Sequence, residues 1–100
     1  MITGTERQLA ALLVDEGLNY KPSAQLHVDG DKSGKWSVSV FVSGVPGFNG
    51  YHCWLSSVRS PETFREFATS DAALRSAGKI ARLVDPGCSV GRCLISFNAF

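Results

Sequence analysis

His27 and His52 are the two side chains of this sequence that titrate near neutral pH, and Cys53 directly follows the second. A histidine beside a thiol is the raw material of a Cys–His nucleophile pair, provided both side chains reach one space. Here they lie in Tyr51–Ser56, whose alternation reads as a strand, so neighbours point to opposite faces. The same geometry stops His52 and Cys53 from sharing a metal ion, and no Cys-x-x-Cys occurs. Cys53, Cys88 and Cys93 are odd in number and lack the spacing of a disulfide framework. They read as reduced, buried thiols, with a Cys88–Cys93 bridge before the last strand as the alternative. No serine sits in a nucleophile elbow. The expectation is a protein that is not an enzyme and carries neither metal nor cofactor.

The loop Asp29–Gly34 (DGDKSG) resembles the opening of an EF-hand calcium loop, with Asp29, Asp31 and Ser33 on alternating positions and glycine for the tight turn. The position of the bidentate glutamate is Val40, inside an apolar strand, and the same residue types make a polar hairpin turn. Arg75, Lys79 and Arg82 recur at i, i+4 and i+7, one stripe of a helix that could follow a phosphate backbone or simply face water. Gly44–Gly50 (GVPGFNG) presents Val45 and Phe48 on a glycine-rich connection that lacks phosphate-loop spacing.

The elements that must position these residues are legible as patterns. Thr5-Glu6-Arg7-Gln8 fits a capping box, and Leu9, Leu12 and Leu13 follow at helical spacing, which predicts a helix over 6–16 stopped by Gly17. Ala24, Leu26 and Val28 alternate with polar residues as a first strand. Lys35–Val42 (KWSVSVFV) is the central strand, and Tyr51–Ser56 a third. Ser60-Pro61-Glu62 and Ser70-Asp71 are both helix openings, predicting one irregular helix or two, over 61–69 and 71–84. Leu74, Ala77, Ala81 and Val84 form its inward face. Arg92–Asn98 is the last strand. The order α-β-β-β-α(α)-β predicts one α+β domain over 1–100, two layers, with a mainly antiparallel four-stranded sheet and helices on one face. That order is similar to the double-stranded-RNA-binding domain. The lysine cluster that family places at the start of its last helix is replaced here by Ser70-Asp71.

If Trp36, Val38, Val40 and Val42 face the helices, Phe41 faces away, and strand pairing puts His52 and Trp54 beside it, with Leu94 close by. An aromatic patch on a sheet is a docking surface, extended here by Val45 and Phe48. It could instead stack unpaired bases, or be covered by the first helix or by a second copy of the chain.

Bulk properties favour the first of these. The net charge is +1, apolar residues make up 44% and charged residues 19%, so no strong field draws the chain to nucleic acid or membrane. The longest apolar run, Leu9–Val14, is far too short to span a bilayer. No basic leader opens the chain, so a cytoplasmic protein is expected. A protein partner is favoured. A nucleic-acid binder using Arg75, Lys79 and Arg82, and a homodimer through the sheet face, are the rivals. The phrase Arg65–Leu74 (REFATSDAAL) is similar to ones in small phage and plasmid accessory proteins, a group that includes anti-CRISPR and antirestriction inhibitors. That resemblance implies a mobile-element inhibitor that occludes a host defence complex such as CRISPR-Cas. It assigns no residue a role.

Overall fold

Thr5 caps the first helix as the capping box predicts. Its hydroxyl accepts from the Gln8 amide at 3.2 Å, and the Gln8 side chain accepts from the Thr5 amide at 2.8 Å. The computed structural model of the chain describes residues 2–14, 24–43, 50–84 and 95–98. In order these form β1 (Thr3–Gly4), α1 (Glu6–Leu13), β2 (Ala24–Gly30), β3 (Trp36–Val42), β4 (Tyr51–Leu55), α2 (Ser70–Val84) and β5 (Ile95–Asn98). Helix α1 ends at Leu13, with Val14 already extended, rather than at residue 16. Gly17, its expected stop, lies outside the described residues.

The sheet has five strands in the order β1-β4-β3-β2-β5. The β2-β3-β4 meander is antiparallel as expected, but both outer strands run parallel to their neighbours, so the sheet is mixed. Strand β1 was not foreseen, because two residues carry no periodicity. The carbonyls of Gly4 and of Ile2, just before the strand, accept from the end of β4: Trp54 N–H donates to Ile2 and Ser56 N–H to Gly4, each at 2.9 Å.

The Asp29–Gly34 turn fixes the register of the meander. Gly34 N–H donates to the Asp31 carbonyl at 3.1 Å and Asp31 N–H to that of Lys35 at 2.9 Å, with Gly34 at φ +85°. Glycine takes that left-handed position without the penalty a Cβ would bring. Gly30 then pairs with Trp36 and His27 with Ser39.

Both helices cover one face of the sheet and touch each other. Leu9 and Leu13 of α1, Ala73, Ala77 and Ile80 of α2, and Leu26, Val28, Val38 and Val40 of the sheet are at most 2% exposed. Full burial of each large aliphatic side chain contributes about 1.5–3 kcal/mol. The inward face of α2 is centred on Ala73, Ala77, Ile80 and Ala81. Leu74 and Val84, expected on it, are half-buried at its flanks.

The helix predicted over 61–69 does not form. Its backbone groups are taken by the sheet: Arg65 N–H donates to the Leu55 carbonyl at 2.8 Å, and Phe67 and Trp36 exchange two bonds of 2.7 and 2.9 Å. Ser60-Pro61-Glu62 makes one turn only, closed by Thr63 N–H on the Ser60 carbonyl at 2.9 Å. A nine-residue helix is marginal alone, whereas extended pairing fills the place that β4 leaves open beside Trp36. The cap of α2 is Thr69, whose hydroxyl accepts from the Ala72 amide at 3.2 Å.

Candidate docking face of the sheet

Because Leu26, Val28, Val38, Val40, Cys53 and Leu55 point to the helices, the residues between them point away. Phe41 pairs with His52, and Ser39 stands between His27 and Trp54. The four rings form a continuous group. Phe41 and His52 centroids are 4.8 Å apart, His52 and Trp54 5.1 Å, His27 and His52 5.8 Å, and His27 and Phe41 6.3 Å at 88°. All four side chains are half-buried. Phe41, His52 and Trp54 are therefore on one face, as alternation predicts. Val45, Phe48 and Leu94 lie outside the described residues, as do Cys88 and Cys93.

His27 is the member that sequence reasoning left out, treating it only as a base. The signal was present: the turn sets the register, and the register sets His27 two positions along β2 from Gln25, the partner of Phe41. Its setting is polar on one side. The Asn98 side-chain amide donates to Asp29 Oδ1 at 2.8 Å and lies 3.3 Å from His27 Nδ1. Nε2 of His27 is buried and makes no hydrogen bond, nor does the hydroxyl of fully buried Ser39.

Burial holds the His27 pKa below the ordinary imidazole value, with His52 adding to the effect and Asp29 opposing it. A base whose folded pKa is lowered binds fewer protons folded than unfolded. Stability from this source is complete above the unfolded value of about 6.5 and is lost as pH falls through the folded one. Replacing His27 with glutamine should flatten the fall in stability that sets in below about pH 6.5. Parallel urea titrations of the two proteins check this, and identical pH slopes would refute it.

The remaining candidates are dispersed. Cys53 is 4% exposed in the core, and desolvation raises its pKa, which makes it a poor nucleophile. Asp31 Oδ1 accepts from the Ser33 hydroxyl at 2.6 Å, the Ser33 amide at 2.9 Å and the Lys35 amide at 3.0 Å. These bonds hold its carboxyl below the usual carboxylate range. Asp31 thus serves the hairpin turn, while Asp29 accepts from Asn98 of β5. Among the described residues no three His, Cys, Asp or Glu side chains are grouped for a metal. Arg75, Lys79 and Arg82 are exposed on α2, in the layer opposite the rings. The basic stripe and the aromatic face therefore lie on opposite sides of the sheet.

At the hairpin end of the face a groove of about 250 Å³ opens between Trp54, Asp29 and Ser37 and the crossing residues Phe64 and Glu66. Lys35 lies at its rim, 3.8 Å from Glu66. No described helix is long and apolar enough to cross a membrane. No family model, curated protein or solved structure matches this chain.

Proposed function

We propose that the chain is a small non-enzymatic binding protein that docks a protein partner on the sheet face of His27, Phe41, His52 and Trp54. The observation that carries this is the unbroken ring cluster on the side of the sheet away from both helices. Grouped aromatic side chains supply large contact area at low entropy cost and dominate many interfaces. Charge selects the class of partner. Among the described residues the strand positions of this face carry neither lysine nor arginine, and Asp29 supplies its one carboxylate. Lys35 at the groove rim, which faces Glu66, is the one counter-charge the described part of this face would offer a phosphate backbone. An apolar protein surface that offers a donor to Asp29 fits, with a side chain entering the groove beside Trp54.

Rigid occlusion of a functional surface on the partner is the mode such a face suits. A host defence complex as that partner rests on the resemblance of Arg65–Leu74 to mobile-element inhibitors.

The test is capture of partners from a bacterial lysate at high salt after nuclease treatment, with the Phe41→Ala/Trp54→Ala variant beside wild type. One stoichiometric protein retained by wild type and lost by the folded double variant is expected. Retention by both would remove the face from the interaction. Recovery of nucleic acid at low salt, abolished by Arg75→Glu and Lys79→Glu, would transfer the function to α2. A wild-type dimer converted to monomer by Trp54→Ala would make the partner a second copy.

A further inference from the structure

A carboxylate oxygen only accepts hydrogen bonds, so the Asn98 group 2.8 Å from Asp29 Oδ1 must be its NH2. The same NH2 lies 3.3 Å from His27 Nδ1, and because an amide NH2 only donates, a hydrogen bond between them needs the Nδ1 lone pair. This wiring fixes neutral His27 with its proton on the buried Nε2. A second proton at Nδ1 would face the Asn98 NH2 donor to donor. Turning the amide around would set its oxygen against Asp29 instead. Neither arrangement keeps all three groups in place.

We propose that His27 is a proton-operated latch on the docking face: in its neutral form it holds the ring cluster in the binding arrangement, and protonation displaces it and releases the partner. The inference rests on the docking reading above. The groups facing His27 are Asp29 on its own strand, Ser39 and Phe41 on β3, His52 on β4 and Asn98 on β5. Asp29 favours the cation, while burial and the neighbouring imidazole oppose it. The displacement has a route to the partner. His27 meets His52 at 5.8 Å, and His52 meets Trp54 at 5.1 Å, so movement of the first ring alters the packing of the others. An ordinary imidazole titrates near about 6.5, and burial moves His27 below that value.

Nitrogen-15 spectra of the wild-type imidazoles give the decisive reading. Neutral His27 is expected as the Nε2–H tautomer with a midpoint below about 6.5, and the Trp54 indole N–H signal should shift with the same midpoint. The Trp54 shift should vanish in His27→Gln, and in wild type its midpoint should be that of His27 rather than of His52. An Nδ1–H tautomer, or a Trp54 shift that follows His52, overturns the latch. A captured partner should bind wild type roughly tenfold more weakly one pH unit below the His27 midpoint that the spectra give than at about pH 7.5, and His27→Gln equally at both. Equal retention of wild type at both pH values also overturns the latch and leaves docking intact. Failure of docking itself would already show at the higher pH, and the spectra would still decide the proton chemistry.

Discussion

Gly50→Ala is expected to destabilise the domain by about 3 kcal/mol and to displace Phe41 from the ring cluster. A Cβ at Gly50 would stand 2.2 Å from the Val42 carbonyl oxygen and 2.7 Å from Phe41 Cζ. The oxygen belongs to β3, whose Val42 pairs with Tyr51 at the start of β4, so it can yield only by opening that end of the ladder. The ring can yield, but only by leaving its 4.8 Å contact with His52. Urea unfolding measures the first effect and the His52 ring resonances the second. A midpoint unchanged from wild type would mean that the entry to β4 adapts at no cost, contrary to the close approach described.

Ile80→Ala should cost about 3–4 kcal/mol, a large part of the 5–15 kcal/mol that holds an ordinary domain together. The buried residues of α2 are Ala73, Ser76, Ala77, Gly78, Ile80 and Ala81, so Ile80 is the one large side chain that this helix buries completely. Its small neighbours let α1 and the sheet come close, and none of them can expand into the space its removal leaves. Thermal unfolding of this variant should show a drop of roughly 12–30 °C. Leu83→Ala is the control: that side chain is 51% exposed and its truncation should change little.

The elements on which these effects rest were readable to unequal degrees. Alternation in Ala24–Val28, Trp36–Val42 and Tyr51–Leu55 was sufficient to place three strands and to sort Phe41, His52 and Trp54 onto one face, because a half-buried strand shows its two sides in sequence. The capping box at Thr5 was equally local. What escaped were pairings between distant segments. Ser60-Pro61-Glu62 is a turn signal as much as a helix signal, and only the unfilled backbone of Leu55 and Trp36 decides between them. The parallel direction of β5 is set by a partner, β2, far away in the chain, and the four residues Ile95–Asn98 say nothing of it. His27 joined the face through the hairpin register and acquired Asn98 through β5. The aromatic part of the site was thus local information, and its polar part was not.

The arrangement of the two parallel strands bears on the order of assembly. The β2-β3-β4 meander joins strands that follow one another in the chain, whereas β1 reaches β4 at Trp54 across about half of the chain and β5 reaches β2 at Leu26 across about two thirds of it. Long loop closures carry the larger entropy cost, so the edges should condense last and open first. Amide exchange should therefore run fastest in β1 and β5 and slowest in β3. It follows that the three-strand platform carrying Phe41, His52 and Trp54 can exist before Asn98 arrives to set the imidazole of His27. Until β5 docks, the face has its rings but not its proton control.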